Sequence, residues 1–138
     1  MIAELYTELR TRGLLVKIRY FGHYRIMEQD AAIDVFAALA QPTRISVFRL
    51  LVQVGPADLP ALEIARRLDV VASTLSRHLS ILKRSGILTA TRHQREIQYA
   101  ADLAVVNELV AFLLSDCCNG QVSNCGDILS LLSLEKTA

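Results

Sequence analysis

The chain has 138 residues, of which 52% are hydrophobic and 21% are charged. This length and balance fit one globular domain with its own core, and three prolines and six glycines exclude a linker-rich or fibrous chain. The longest run without Asp, Glu, Lys or Arg, residues 117–126, is ten residues long, whereas a membrane-spanning helix needs about 20 apolar residues. We therefore expect a soluble protein with no membrane partner.

The first residues of the chain bear on localisation. Glu4 and Glu8 stand where a secretory signal would carry basic residues and then an unbroken apolar segment. This predicts a cytoplasmic protein in a reducing compartment, so its thiols are expected to be free or bound to a metal.

The first half of the chain predicts three helices. Pro42 separates two helical segments within residues 31–54, and Gly55-Pro56 ends the second. Leu59-Pro60 then opens a short third helix that ends near Leu68. The apolar stripe of the first helix is expected to be Ile33, Val35, Phe36 and Leu39.

A fourth helix is predicted over Ala72–Ser85, since Leu75, Leu79 and Leu82 fall on one face and Gly86 suits the left-handed position after a helix. Only three residues separate it from the third helix, which predicts a helix-turn-helix.

After Gly86 the apolar period changes from 3.6 to 2, and two alternating segments flank the polar tip at residues 92–95, which predicts a β-hairpin. Asp102 is expected to cap a fifth helix that runs through Leu113 and ends near Cys117. The broad apolar face of that helix is expected to be Leu103, Val106, Leu109, Val110 and Leu113. The predicted fold is mainly α with a small β-hairpin, a winged helix-turn-helix.

Charge is distributed unevenly along the chain although the net charge is only +1. Residues 1–26 carry +3, residues 27–65 carry −3, residues 66–96 carry +5 and residues 97–138 carry −4. A basic block between acidic flanks is typical of a phosphate-binding surface, and a merely solvated face is the alternative.

The outward face of the fourth helix is the strongest candidate site. Arginines and small hydroxyl side chains on one helix face suit a groove of bases and phosphates, and the basic hairpin tip would add phosphate contacts. His78 lies about 60° from the centre of the apolar face, which favours a packed, hydrogen-bonded histidine over a base contact. The predicted DNA-binding residues are Ser73, Thr74, Ser76, Arg77, Ser80, Arg84, Arg92 and Arg95.

At three places the sequence resembles the ArsR family of metal-sensing winged-helix repressors. They are residues 37–44, Ala-Ala-Leu-Ala-Gln-Pro-Thr-Arg, residues 73–82, Ser-Thr-Leu-Ser-Arg-His-Leu-Ser-Ile-Leu, and Gly86-Ile87-Leu88 with the hairpin that follows. The resemblance covers about residues 27–115. It implies a homodimer with the first and fifth helices at its interface, two recognition helices in successive major grooves of a palindromic double-stranded operator, and repression relieved by a metal ion.

The chain departs from this family pattern in three respects. Val71-Ala72-Ser73 replaces the frequent Ser-Gln-Ser, so a glutamine base reader is missing, and Gln94 replaces the usual glycine at the hairpin tip. The third helix has no cysteines and the fifth has no Asp/His set for zinc. A different sensor site is therefore expected.

All three cysteines, Cys117, Cys118 and Cys125, lie within nine residues at the end of the fifth helix. Three thiolates without an obvious fourth ligand suit a pyramidal, thiophilic ion, above all As(III) and then Sb(III), whereas structural zinc prefers four ligands. Cadmium, lead or mercury binding, thiol redox sensing and simple packing remain alternatives. The cluster is similar to that of ArsR-family members that sense arsenite with cysteines after the fifth helix.

The sequence thus predicts a dimeric repressor that is released from operator DNA by As(III) or Sb(III), with a redox sensor on the same scaffold as the alternative. An enzyme is disfavoured because the three histidines accompany no nucleophile-and-base motif or glycine-rich phosphate loop. The predicted division is residues 27–115 for the DNA-binding and dimerisation domain and residues 116–138 for the sensing tail. Residues 1–26 are either an upstream translated segment or an added N-terminal element.

Overall fold

The computed structural model describes the backbone of residues 19–21 and 24–117 and the side chains of residues 27–114. Five helices and five short strands make up this part of the chain. In chain order they are β1 (Arg19–Phe21), β2 (Tyr24–Ile26), α1 (Gln29–Leu39), α2 (Pro42–Val54), β3 (Leu59–Pro60), α3 (Ala61–Leu68), α4 (Ala72–Ser85), β4 (Leu88–His93), β5 (Glu96–Ala101) and α5 (Leu103–Cys117).

The corner between α1 and α2 is fixed by reciprocal capping. The Gln41 side chain accepts a hydrogen bond of 2.9 Å from the backbone N–H of Arg44, and Pro42 occupies the first turn of α2, where its missing N–H has no consequence. The Arg44 guanidinium donates back to the carbonyls of Ala37 and Ala38 at the end of α1. One short motif therefore ends one helix and begins the next, as the sequence predicts.

The helix-turn-helix is formed by α3 and α4, whose limits are set by two left-handed residues. Asp69 ends α3 with a φ of 52°, and the N–H of Val70 donates to the carbonyl of Ala65 at 3.0 Å. Gly86 ends α4 with a φ of 88°, the conformation in which glycine carries no steric penalty. The predicted limits of α4 are thereby confirmed.

The sheet has one strand more than the sequence predicts. β4 and β5 form the expected hairpin, with His93 opposite Glu96 at the tip, and Gln94 takes the left-handed conformation there with a φ of 55°. β3 pairs antiparallel with the other edge of β5, and Leu59 faces Tyr99. The predicted third helix does begin directly after Leu59-Pro60, with Pro60 as its N-cap residue, and it ends at Leu68. Leu59 and Pro60 themselves are extended, because a residue before proline avoids the helical region, and they form the strand that the sequence did not predict. The winged helix-turn-helix fold class is confirmed.

The core lies between the inner face of α4 and the helices and sheet around it. Leu75, Leu79 and Leu82 are fully buried there, which confirms the predicted apolar face. They pack with residues from the other elements: Ala32, Val35, Val47, Leu51, Ile64, Ile87, Leu88 and Leu109.

Two helices bury only part of the apolar face that the sequence pattern predicts for each of them. In α1 the buried residues are Ala32, Val35 and Ala38, while Ile33 and Phe36 are exposed. In α5 Leu109 is buried and Val106 packs against the core, as predicted, whereas Leu103, Val110 and Leu113 are exposed. The apolar residues of α1 and α5 are too numerous for one inward face, so part of each set lies on the surface of the chain.

The start of α5 follows the prediction. The Asp102 carboxylate accepts hydrogen bonds from the N–H groups of Ala104, at 3.0 Å, and Val105, at 3.4 Å. The backbone of β2 lies alongside α5. Within the described ranges no single helix is long and apolar enough to cross a membrane, and α1 and α2 reach that length and composition only together, across a bend of 102°.

Candidate nucleic-acid interface

The outer surface of α4 is the centre of the candidate interface. Because Leu75, Leu79 and Leu82 hold one side of this helix in the core, its polar side faces solvent along the whole helix. All the residues that the sequence assigns to this surface are exposed: Ser73, Thr74, Ser76, Arg77, Ser80 and Arg84. The structure thus places them on one open helix, and their contact with DNA stays a prediction.

The cations of this surface have no carboxylate partners among the described side chains. Within residues 27–114, no carboxylate forms an ion pair with Arg77 or Arg84. Their charges are therefore available to phosphates or base edges without the loss of an existing ion pair.

The arginines of α3, in contrast, both form ion pairs with a carboxylate. Glu63 accepts hydrogen bonds from Arg66 at 2.7 and 2.9 Å and from Arg67 at 2.7 Å. These hydrogen bonds lower the pKa of the Glu63 carboxyl to about 2, and they raise the pKa of Arg66. Glu63 thus balances one of the two α3 charges, whereas the arginines of α4 and of the hairpin tip form no ion pair within residues 27–114.

The wing is the hairpin of β4 and β5, and it carries the two remaining predicted residues. Arg92 and Arg95 are both exposed, and Arg92 donates a hydrogen bond of 3.3 Å to the Gln94 carbonyl across the tip. At the end of β4, His93 lies 3.8 Å from the carboxylate of Asp58, in the loop before β3. This contact joins the wing tip to that loop when the imidazole is protonated.

His78 is half-buried, as expected for a packed histidine. Its Nδ1 atom is buried and has no hydrogen-bond partner in the described part of the chain, so the predicted packing is observed without a hydrogen bond at that atom. Burial lowers the pKa of His78, and the positive charges of Arg44 and Arg77 lower it further. The ring is therefore neutral at pH 7 and adds no cation to the interface.

The proposed thiol site lies at the limit of the described residues. The backbone places Cys117 as the last residue of α5. Its side chain, Cys118 and Cys125 lie outside the described residues, as does most of the predicted sensing tail. Among the side chains of residues 27–114 there is no group of three His, Cys, Asp or Glu residues that could hold a metal ion.

Two features of the interface were missed by sequence reasoning. The first is the clamp of Glu63 on the α3 arginines, which the spacing of three and four residues on a helix could have indicated. The second is the strong exposure of Val71, the residue that directly precedes α4. No residue pattern signalled it, because exposure depends on where the turn lies in the fold.

Comparison with known proteins gives a consistent result. The family model described as a helix-turn-helix domain matches residues 39–91, which include α2 to α4 and part of β4. Over 70 residues the chain is 36% identical to the HTH-type transcriptional repressor SmtB of Mycobacterium tuberculosis, a match that covers 51% of this chain and 50% of SmtB. Over 63 residues it is 33% identical to an uncharacterised HTH-type transcriptional regulator of Methanocaldococcus jannaschii, covering 46% of this chain and 68% of that protein.

Solved structures are similar over a longer part of the chain. An ArsR-like transcriptional regulator from Rhodococcus sp. RHA1 has a TM-score of 0.56 and 28% identity, covering 79% of this chain and 93% of that one. A homodimeric winged helix-turn-helix DNA-binding domain from Mycobacterium bovis, a possible ArsR-family regulator, has a TM-score of 0.50 and 26% identity, covering 65% and 79%. A third, described as a possible transcriptional regulator for arsenical resistance, has a TM-score of 0.52 and 26% identity, covering 59% and 82%.

Proposed function

Since this chain belongs to the ArsR/SmtB family of winged helix-turn-helix transcriptional regulators, we propose that it represses transcription as a homodimer on a palindromic operator. We further propose that As(III) or Sb(III), bound by Cys117, Cys118 and Cys125, releases it from DNA. The relatives named above are transcriptional regulators, so the enzyme alternative is excluded.

One observation carries the DNA-binding part of this proposal. Arg77 and Arg84, which form no ion pair within residues 27–114, share the exposed face of α4 with small hydroxyl side chains, while the two α3 arginines share the Glu63 carboxylate. A recognition helix needs this combination, because hydroxyls and arginines bond to base edges and phosphates and the leucines behind them fix the helix on the domain. Arg92 and Arg95 on the wing add phosphate contacts beside the groove.

The homodimer is supported by the apolar residues that the fold leaves uncovered. Five large side chains on α1 and α5 are between 41% and 53% exposed, whereas their neighbours on the same helices are buried. An apolar surface shared by two helices is typical of a protein interface, and a two-fold dimer would place two α4 helices in one assembly. The five are Ile33, Phe36, Leu103, Val110 and Leu113.

The metalloid site is supported by the donor chemistry and by its position on α5. Three thiolates close together in sequence match the three bonds of pyramidal As(III), and Cys117 ends the helix that carries three of the five exposed apolar residues. One solved relative is described as a possible regulator for arsenical resistance. An ion bound at the end of α5 would act directly on the helix that forms the proposed dimer interface.

Release also requires a difference in free energy. The metalloid has to bind more tightly to the conformer with low operator affinity, and about 1.4 kcal/mol of that difference gives tenfold release. α5 is the proposed connection between the two sites.

The test is a fluorescence anisotropy titration on DNA from the protein's own promoter. The complex is formed first, and arsenite, antimonite, zinc, cadmium and hydrogen peroxide are then added in parallel. We expect arsenite and antimonite to release the DNA at the lowest concentrations. Release by peroxide without release by arsenite would instead support the redox sensor, and failure to bind any promoter duplex would contradict the repressor itself.

A further inference from the structure

Two apolar residues stand uncovered at the N-terminal end of α4. Val71 is the residue before the helix, with backbone angles of −59° and 132°, and its side chain is 70% exposed. Ala72, the first residue of the helix, is also exposed. Exposed apolar side chains lie here at the end of the helix that carries the candidate DNA-binding surface.

Valine at position 71 does not stabilise the start of α4. The residue before a helix normally accepts a hydrogen bond from a free N–H of the first turn, and serine, threonine, asparagine or aspartate can do so. In α4 no side chain provides this cap. A residue that gives up the cap and also exposes its methyl groups to water contributes little to folding, which is typical of a position with a binding role.

The neighbouring residues indicate what these methyl groups contact. Ser73, Thr74 and Arg77 follow directly on α4 and form the candidate surface for the major groove. Recognition helices contact bases mainly with their N-terminal residues, and the Cα–Cβ bonds of a helix tilt towards its N-terminus. The Ala72 methyl group therefore projects towards the end of α4 that enters a groove first.

We propose that Val71 and Ala72 read thymine by packing against its C5-methyl group in the major groove. This inference rests on the proposed binding of α4 to operator DNA. Among the four bases only thymine presents a methyl group in the major groove, so apolar contact there selects T·A pairs without a hydrogen bond. This chain would thus use methyl contacts at the start of the recognition helix.

The experiment first selects the preferred site of the wild-type protein from random duplexes. Each thymine of that site is then replaced singly by deoxyuridine, which removes only the C5-methyl group, and the dissociation constants are measured by anisotropy. Wild-type protein is expected to lose about fourfold affinity at one or two thymines per half-site, the equivalent of one buried methyl group. At the other thymines of the site, replacement by deoxyuridine is expected to leave the dissociation constant unchanged.

Two variants and one control assign the effect to Val71. Val71→Ala removes both side-chain methyl groups that could reach the base, and Val71→Ser also removes them but restores a residue able to cap α4, so a folding defect cannot explain its result. At the thymine that Val71 contacts, both variants are expected to bind the thymine and deoxyuridine duplexes equally, whereas a methyl effect from Ala72 at a second thymine should stay. Leu62→Ala is the matched control, since Leu62 is 71% exposed on α3 and should leave the methyl effect unchanged.

The outcomes separate this inference from the proposed function. A specific site at which no thymine methyl group matters, or at which both Val71 variants keep the wild-type methyl effect at every sensitive thymine, would overturn the inference and leave the repressor intact. If selection enriches no site at all, the DNA-binding proposal fails, and the methyl contact fails with it.

Discussion

Leu113→Glu tests whether the exposed apolar residues of α1 and α5 form the dimer interface. Leu113 is 47% exposed in the described chain, so dimerisation can bury about half of a leucine side chain. Full burial of leucine is worth about 1.5–3 kcal/mol, which makes the hydrophobic loss about 1 kcal/mol per subunit. A two-fold interface contains the residue twice, and the new carboxylates would also be buried without a partner.

We therefore expect the dissociation constant of the dimer to rise at least about thirtyfold. Sedimentation equilibrium measures this constant, and urea unfolding of the monomer checks that the fold is retained. Leu62→Glu places the same charge at a more exposed leucine on α3, outside the proposed interface, and should leave the dimer unchanged. If Leu113→Glu dimerises like the wild type, or if Leu62→Glu dissociates the dimer equally, the assignment of the interface is wrong.

Three further predictions concern the DNA-binding unit. Arg77→Ala should weaken operator binding by at least about 1 kcal/mol. Arg66→Ala removes an arginine that is already paired with Glu63 and should weaken binding clearly less. Equal losses of affinity in anisotropy titrations would contradict the proposed groove contact. Alanine at Arg92 or Arg95 should flatten the dependence of affinity on salt while keeping the preferred site, and a changed site in selection would refute a phosphate role. Burial lowers the pKa of His78 below its ordinary 6.5, so near that pH the unfolded chain binds a proton that the folded chain does not. The free energy of unfolding should therefore fall as the pH drops below 6.5, by at most about 1.4 kcal/mol per pH unit. Urea unfolding between pH 7.5 and 5 should show a smaller slope for His78→Gln, and identical slopes would contradict this origin.

The sequence predicts most of the DNA-binding unit because local signals set its limits. Gly86 takes the left-handed conformation after α4, and the Asp102 carboxylate caps α5. The strand β3 was missed because two residues show no alternation, and its pairing with β5 is decided by tertiary contact. The spacing of apolar residues cannot distinguish a core residue from an interface residue. Ile33 and Phe36 were therefore predicted to lie in the core, whereas α1 buries smaller residues there.

The effector could be predicted only from composition and spacing. A helix pattern places Cys117 at the end of α5, where the structure has it. Cys118 and Cys125 lie outside the described residues, and residues 118–125 carry no helical or strand periodicity from which their positions could be predicted. Thiolate number and chemistry thus remain the basis for predicting As(III) or Sb(III).

Arsenite titration of the preformed operator complex, with wild-type protein and Cys117→Ser or Cys118→Ser side by side, tests the central claim most directly. Each substitution lies at the end of α5 or beyond it, so apo operator affinity should stay within about threefold of wild type. Wild-type protein should leave the DNA as arsenite is added, while both variants stay bound at every concentration. Release of Cys117→Ser at the wild-type arsenite concentration would contradict the three-thiolate site, and loss of apo DNA binding would make these cysteines structural.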